Sequence, residues 1–142
     1  MIVIDANLLI YAYDLESSSH AKSRTWLEKT LSDGDAVGLP WQTISAFLRV
    51  LTNRKLPGSR LAVEHAIQIV EDWLEQPNVQ IIEAGDRHRS LFRRMIIEGQ
   101  ASGPLVSDAH LAALTIEYGG VLHTADRDFA RFPGLRWMNP IA

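Results

Sequence analysis

The sequence predicts an α/β protein with a parallel sheet that is covered by helices on both faces. Short aliphatic and β-branched runs alternate along the chain with longer segments in which apolar residues recur at helical spacing. Strands that alternate with helices in this way favour a parallel sheet with right-handed crossovers. The chain has 142 residues, 46% of them hydrophobic, and shows no repeat or interdomain linker, so we expect one domain over residues 1–142.

Five strands and six helical segments account for this alternation. The strands are expected at residues 2–4, 36–39, 79–82, 121–124 and 135–138. The first helix is expected at residues 7–13, and serines 17–19 offer caps for the second, which ends near residues 33–34. Later helices are expected over residues 41–51, after a Ser59 cap, over residues 91–98, and from Ser107 or Asp108 to Gly119.

Composition and charge narrow the possible functions. A formal net charge of -3 provides no overall attraction to nucleic acid, so any polyanion binding must depend on local groups. The absence of cysteine excludes disulfides, thiolate metal sites and cysteine nucleophiles. The N-terminus lacks a basic leader pattern and no apolar run reaches the length of a membrane span, so we expect a soluble, cytoplasmic protein without membrane contact.

Acidic residues follow hydrophobic runs at three widely separated places. Asp5 follows the first strand, Asp108 lies near the start of a helix, and Asp126 and Asp128 follow the fourth strand. In a parallel α/β sheet, ligands bind beyond the carboxyl ends of the strands, where these side chains converge. Crowded carboxylates repel each other unless a cation neutralises them, and Mg²⁺ or Mn²⁺ prefers oxygen ligands. The pattern therefore predicts a divalent metal site.

Four short motifs, which follow one another along the chain, together resemble those of a known protein family. They are Asp5-Ala6-Asn7-Leu8-Leu9, Ala46-Phe47-Leu48-Arg49-Val50-Leu51-Thr52-Asn53, Asp108-Ala109-His110-Leu111-Ala112-Ala113-Leu114 and Thr124-Ala125-Asp126-Arg127-Asp128-Phe129. With Trp137-Met138-Asn139-Pro140 at the end, the whole sequence resembles PIN-domain ribonucleases, most closely the VapC toxins of bacterial toxin–antitoxin pairs.

The resemblance implies a fold, an activity and partners. The fold would be a three-layer α/β/α PIN-like sandwich with strand order 3-2-1-4-5. The activity would be Mg²⁺- or Mn²⁺-dependent endoribonuclease cleavage of an RNA substrate. The partners would be a VapB-like antitoxin and a second copy in a homodimer. One position departs from the family pattern, because Ala46 stands where many PIN domains carry a glutamate. The absence of this glutamate favours a single tightly bound metal ion, with a second ion that binds together with the substrate.

The predicted reaction is hydrolysis of an RNA phosphodiester by metal-activated water, without a protein nucleophile. Asp5 and Asp108 are assigned as metal ligands. Asp126 is a further ligand or orients the attacking water, with Asp128 in support. Asn7, Ser107 and Thr124 are expected to hydrogen-bond the ligands or their water. On family analogy, Arg49 and Arg54 are candidates for RNA contact.

Each assignment has a structural alternative. Asp5, Asp108 and Asp126 can each cap a helix or turn, although Ser107 can cap the same helix as Asp108. His110 fits an ordinary surface histidine, His123 a packed one, and the tryptophans core or dimer-interface positions. The basic residues around 49–60 and 87–94 also fit solvated helix faces.

Other function classes fit less well. A phosphoacceptor receiver domain needs a lysine late in the sheet, and the last lysine here is Lys55. A haloacid-dehalogenase-like phosphatase needs a second acid at position 7, where Asn7 stands. The remaining alternative is a PIN-fold module that binds RNA or protein with little or no cleavage.

Overall fold

A computed structural model describes residues 1–142 and shows a five-stranded parallel sheet. The strands are β1 (Ile2–Ile4), β2 (Val37–Pro40), β3 (Val79–Ile82), β4 (Val121–His123) and β5 (Trp137–Met138). Their order across the sheet is β3-β2-β1-β4-β5, and every neighbouring pair is parallel. This confirms the predicted strand order. It puts β1 and β4, which precede acidic residues, side by side at the centre.

Six α-helices and one short 3₁₀ helix connect the strands. They are α1 (Ala6–Tyr13), α2 (His20–Ser32), α3 (Trp41–Leu51), α4 (Val63–Glu75), α5 (His88–Glu98), α6 (Leu105–Glu117) and η1 (Arg127–Arg131). None of these helices has the length and apolar character that a bilayer-spanning segment requires.

The sheet separates two hydrophobic cores, which makes the fold a three-layer sandwich. Successive strand residues point to opposite faces. On β1, Ile4 accordingly packs with Phe47 and Trp73 in the core beneath α1 to α4. Its neighbour Val3 packs with Leu111 and Phe129 in the core beneath α5 and α6. Full burial of a side chain of this size contributes roughly 1.5–3 kcal/mol, so both layers hold β1 firmly.

Helix α6 begins earlier than the sequence indicates. It starts at Leu105, with Pro104 in the N-cap position, and the preceding Gly103 has a positive φ of 56° that turns the chain into the helix. The predicted start at Ser107 or Asp108 is therefore wrong. Both residues lie inside the first turns of the helix, where neither acts as its cap.

The start of α4 also differs from the prediction. The helix begins at Val63, and Ser59 is not its cap. The backbone N–H of Ser59 instead donates to Oδ1 of Asp14 at 2.9 Å, and Arg60 lies 3.8 Å from the same carboxylate. Since Asp14 follows α1, these contacts tie the segment after α3 to the end of α1 and delay the start of the next helix.

Candidate active site

Asp5 and Asp126 enter one crevice because β1 and β4 end side by side. Ile4 pairs with His123 in the last register position of the two strands, and the N–H of Asp5 donates to the His123 carbonyl at 3.0 Å. The chain then turns into α1 after β1 and toward η1 after β4. Both acidic side chains therefore lie at the carboxyl edge of the sheet, as the sequence predicts.

The hydroxyl of Thr124 organises this crevice. It donates to Oδ2 of Asp5 at 2.8 Å, and it accepts from the Asp126 N–H at 3.0 Å and from Nδ2 of Asn7 at 3.4 Å. A threonine hydroxyl has one proton and two lone pairs, so these three contacts use its full capacity. Thr124 is completely buried. Asn7 thus reaches Asp5 through Thr124, and its Oδ1 accepts from the Ala125 N–H at 3.5 Å.

Two of the acids also cap the elements that follow them. Oδ1 of Asp5 accepts from the Ala6 N–H at 2.8 Å at the start of α1. Oδ1 of Asp126 accepts from the Asp128 N–H at 2.9 Å at the start of η1. The capping interpretation therefore holds for these two residues, and it is compatible with a shared site because the same caps orient the carboxylates into the crevice.

Asp108 differs from Asp5 and Asp126 because its side chain makes no capping bond. It is half-buried on α6, and α6 already begins at Leu105. A negative charge in the first turn of a helix is stabilised by the helix dipole. This stabilisation does not depend on the other acidic residues of the site.

Burial and mutual repulsion together alter the protonation of the carboxylates. Burial, followed by the negative charges of Asp5, Asp126 and Asp128, raises the pKa of Asp108 from 3.8 to about 6. Burial also raises the pKa of Asp5, against the lowering effect of its hydrogen bonds from Thr124 and Ala6, and the charge of Asp126 raises it further. The four predicted acids therefore form one electrostatic cluster.

Arg131 is a site residue that the sequence reasoning missed. Its positive charge lowers the pKa of Asp108. Its Nη1 also donates to the Gly99 carbonyl at 3.1 Å, which holds the side chain between η1 and the end of α5. The position of Arg131 at the end of η1, three residues after Asp128, would have been the only signal for it.

The acidic cluster offers the right atoms for a hard cation but does not form a ready-made ligand set. In the side-chain positions of this structure, no group of three acidic or histidine side chains has a geometry that could hold a metal ion. The hydroxyl of Ser107 makes no hydrogen bond in the site. Its backbone carbonyl accepts from Nε2 of Gln42 at 3.0 Å, which links α6 to α3.

Arg49 and Arg54 lie at the end of α3 that is further from the carboxyl edge of the sheet. Helix α3 begins at the carboxyl edge with Trp41, and Arg49 lies in its last turn. A helix rises 1.5 Å per residue, so Arg49 is about 12 Å further along the axis, and Arg54 lies beyond the end of the helix. Both side chains are exposed. Neither arginine contributes to the pKa shifts of Asp5 and Asp108, and RNA contact by Arg49 and Arg54 remains a prediction.

Ala46 lies on the face of α3 that is directed toward the site. It follows Thr43 by three residues and Gln42 by four, so the three share one helix face. The Thr43 hydroxyl donates to the carbonyl of Ile4 at 2.8 Å, just before Asp5, and Gln42 contacts the α6 backbone just before Asp108. Ala46 is half-buried one turn further along.

The two histidines near the motifs occupy different environments. His110 is half-buried and makes specific contacts, with Nδ1 2.8 Å from Nε2 of His88, and both rings pack with Phe92. Burial, and then the charge of His88, lowers the pKa of His110. His123 is buried and packs against Trp26 with ring centroids 5.8 Å apart, in agreement with the prediction.

The tryptophans also divide into two groups. Trp73 belongs to the core beneath α1 to α4, and Trp26 and Trp137 pack partly against the two cores. Trp41 is 52% exposed and so is not a core residue.

Comparison with known proteins identifies the family of this fold. The PIN domain model matches residues 2–135. Ribonuclease VapC37 of Mycobacterium tuberculosis is 39% identical over 142 residues, covering 100% of this chain and 99% of the relative. The VapC ribonuclease Mb2897 of Mycobacterium bovis is 36% identical over 141 residues, covering 99% of this chain and 96% of the relative.

Solved structures agree with this assignment at the level of the fold. The VapBC2 complex of Rickettsia felis, bound to a DNA fragment from its promoter, contains a chain with a TM-score of 0.72 at 17% identity, covering 98% of each chain. VapBC-1 of nontypeable Haemophilus influenzae gives a TM-score of 0.70 at 18% identity, covering 100% of each chain. With the full-length sequence matches, these likenesses show that the chain belongs to the PIN-domain family and to its VapC-type group.

Proposed function

We propose that the protein is a Mg²⁺- or Mn²⁺-dependent endoribonuclease that acts as the toxin of a VapBC-like toxin–antitoxin pair. The observation that carries the proposal is the convergence of Asp5, Asp108, Asp126 and Asp128, where burial, followed by the charges of the other three acids, raises the pKa of Asp108 to about 6. Uncompensated negative charge of this kind is stabilised by a bound cation. Its relatives at 34–39% identity are named ribonucleases.

The donor set fits a hard divalent ion by its chemistry. All four side chains provide oxygen atoms, which Mg²⁺ and Mn²⁺ prefer, and no cysteine is present to favour a softer metal. Asp5 and Asp108 would hold the ion, with Asp126 as a further ligand and Asp128 beside it. When bound, the ion supplies compensation for the carboxylate charge, a lower pKa for water at the site, and stabilisation of charge on the phosphoryl oxygens.

The residues of the chain have separate tasks in this proposal. Thr124 holds Oδ2 of Asp5 in place and is itself held by Asn7 and the Asp126 backbone. Such support keeps a ligand oriented before the ion binds. Asp126, with one oxygen accepting from the Asp128 N–H, keeps its other oxygen for a ligand role or for orienting the attacking water. Arg131, near Asp108, offers positive charge to a substrate phosphate.

Cleavage of RNA by purified protein tests the proposal. A structured RNA should be cut with Mg²⁺ or Mn²⁺, EDTA should stop the reaction, and added metal should restore it. Asp5→Asn and Asp108→Asn should each lower the rate at least about a hundredfold, the scale of losing one electrostatic group in a catalytic site. Asp86→Asn, which changes an exposed acid outside the cluster, should retain full activity. Cleavage that persists in EDTA would contradict the metal mechanism.

A VapB-like antitoxin is the proposed partner. Structural neighbours of this chain are VapBC complexes. The acidic crevice would accept an arginine or lysine from such a partner in place of the cation, through a charge-assisted hydrogen bond. Expression of the toxin alone in the cytoplasm should arrest growth, and co-expression of its antitoxin should restore it. Normal growth with active, folded protein would remove the toxin role and leave the ribonuclease role intact.

We further propose that two copies form a homodimer, as the family resemblance implies. A surface groove of about 360 Å³ between α3 and α4 includes Val63 and Ile67, which are exposed apolar residues. Light scattering of the purified protein measures the mass directly, and a strictly monomeric toxin would contradict this part of the proposal.

A second candidate function is a PIN-fold module that binds RNA or protein with little cleavage. Ala46, which replaces the usual glutamate, and the absence of a preformed three-ligand geometry favour it. RNA binding without metal-stimulated turnover would identify this alternative.

A further inference from the structure

A second concave site lies at the same edge of the sheet, beside the acidic cluster. It is a pocket of about 180 Å³ lined by Trp41 and Gln42 of α3, Glu83 and Ala84 after β3, and His110 and Leu114 of α6. Strands β2 and β3, which lead into it, are the next strands over from β1 at ~4.8 Å per strand. The pocket therefore lies within the reach of a nucleotide adjacent to the carboxylates.

The pocket and the acidic cluster share supporting contacts. Gln42, in the pocket wall, donates to the carbonyl of Ser107, the residue before Asp108. His110 follows Asp108 by two residues on the same helix. Helix α6 therefore contributes to both sites, and the Gln42 contact joins the pocket wall to the turn of α6 that carries Asp108.

Trp41 provides an accessible aromatic surface at this pocket. Its side chain is 52% exposed, although tryptophan is normally largely buried. The indole is held in place because Nε1 donates to Oε1 of Glu83 at 3.2 Å. An indole fixed at its polar edge and open elsewhere is suited to stacking on a flat aromatic ligand.

The opposite wall is preorganised by residues at the end of α6. The Tyr118 hydroxyl donates to the Glu83 carbonyl at 2.9 Å and accepts from the Glu83 N–H at 3.2 Å. The carboxylate of Glu117 accepts from the N–H groups of Gly85 and Arg87 at 2.9 and 3.0 Å. A wall ordered in advance loses little conformational entropy when a ligand binds.

The charge of the pocket disfavours a phosphate as its occupant. Its lining contains the Glu83 carboxylate and no lysine or arginine. A carboxylate repels phosphate but accepts hydrogen bonds from the ring N–H and amino groups of nucleobases. An aromatic face beside a hydrogen-bond acceptor is the combination that recognises unpaired bases of RNA.

We propose that this pocket is a nucleobase subsite, in which Trp41 stacks on an unpaired base next to the cleaved phosphodiester. The inference depends on the proposed ribonuclease function, and it adds a determinant of substrate preference to it. Since stacking accepts any base, Trp41 provides affinity, and Glu83 provides selection through the hydrogen-bonding edge of the base.

Binding of a short single-stranded RNA of mixed sequence tests the subsite. The measurements use an Asp108→Asn parent, so that the RNA is not consumed. Trp41→Ala should weaken binding about tenfold, the size of one base–aromatic stack, and Trp41→Phe should bind like the parent because it keeps an aromatic face. Leu15→Ala is the control, since Leu15 is another exposed apolar residue, after the far end of α1, and should have no effect.

A matched oligomer of abasic ribose phosphate separates base contacts from charge. The parent should bind it about tenfold more weakly than the RNA, whereas Trp41→Ala should bind the two with similar affinity. If Trp41→Ala kept the parent's affinity, the subsite would be refuted and metal-dependent cleavage would be unaffected. A change in oligomeric state without a change in the preference for bases would identify Trp41 as a contact between copies and would also refute it. A parent and wild-type protein that bound no RNA would overturn both this inference and the proposed function.

Discussion

Thr124 donates a 2.8 Å hydrogen bond to Asp5 across 119 positions of sequence, and this contact joins the ends of the two central strands. The two residues meet because β1 and β4 are neighbours in register up to Ile4 and His123. It restrains one oxygen of Asp5 while the Ala6 N–H restrains the other. A carboxylate held at both oxygens is oriented by the fold itself, before any ligand is present.

Removing the Thr124 hydroxyl should damage both stability and activity. Thr124→Val keeps the shape of the side chain but leaves Asp5, Asn7 and the Asp126 N–H without their shared partner. We expect a loss of about 1–3 kcal/mol in the free energy of unfolding, the usual cost of unpaired buried polar groups. Cleavage should fall as well, because Asp5 loses its orientation.

Urea denaturation and RNA cleavage assays check this prediction. Thr124→Ser keeps the hydroxyl and should recover most of the activity. Equal loss in the valine and serine variants would show that the methyl group of Thr124, and not its hydroxyl, is what matters.

The stability of the metal-free protein should depend on pH through Asp108. Its pKa is about 6 in the folded protein, above its ordinary value of 3.8. The folded state therefore binds this proton more tightly than the unfolded chain does. The resulting contribution to the free energy of unfolding is fully present below about pH 4 and is lost as the pH rises through about 6.

Asp108→Asn should remove that part of the pH dependence. At pH 7 in EDTA, the variant should be more stable than wild type by an amount on the order of 1 kcal/mol, allowing for screening of a half-buried group. Thermal denaturation between pH 4 and 8 measures the difference. Asp86→Asn should follow the wild-type curve, and an identical result for Asp108→Asn would contradict the electrostatic cluster.

Asp5→Asn should behave differently from Asp108→Asn. An asparagine relieves the repulsion but has only one oxygen to accept the two bonds from Ala6 and Thr124. The gain from lost repulsion is therefore offset by a lost hydrogen bond, and we expect lower stability than for Asp108→Asn. Parallel denaturation of the two variants in EDTA ranks them, and the reverse order would contradict the hydrogen-bonding role of Asp5.

Ala46→Glu tests whether Ala46 occupies the position of the family glutamate. A carboxylate on this face of α3 should tighten Mn²⁺ binding by at least several-fold, since it adds charge and an oxygen ligand. Without metal, like-charge repulsion should lower the stability. Isothermal titration calorimetry measures the affinity. Ser45→Glu adds the same charge at the adjacent exposed position and should have a much smaller effect. Unchanged affinity in a folded Ala46→Glu protein would show that the assignment of this helix face is wrong.

Arg131→Gln should raise the pKa of Asp108 above about 6 in metal-free protein, because the arginine charge lowers it. Carbonyl ¹³C chemical shifts of the Asp108 side chain, followed across a pH titration, report the change. Arg127→Gln removes a neighbouring exposed charge that does not influence Asp108 and should leave the titration unchanged. No shift in the Arg131 variant would place its guanidinium too far from the cluster to affect it.

The strands and the acidic residues at their ends could be predicted from the sequence because both are local features. A β-branched run such as Val79–Ile82 and the apolar stripe of α3 reflect which side chains each segment must bury. Boundaries were less accurate where contacts from distant residues decide them. The Asp14 contact with Ser59 shifts the start of α4, and no pattern near Ser59 contains that information.

The sequence by itself determined the α/β class and the acids at the ends of the two central strands, since these depend on hydrophobic periodicity and on the direction of parallel strands. Only the tertiary structure decided that the Thr124 hydroxyl donates its proton to Asp5 and that Arg131 lowers the pKa of Asp108. It also decided that Trp41 is exposed beside Glu83. Distances and burial arise from residues far apart in the chain, so they exist only once the strands have paired and the helices have packed.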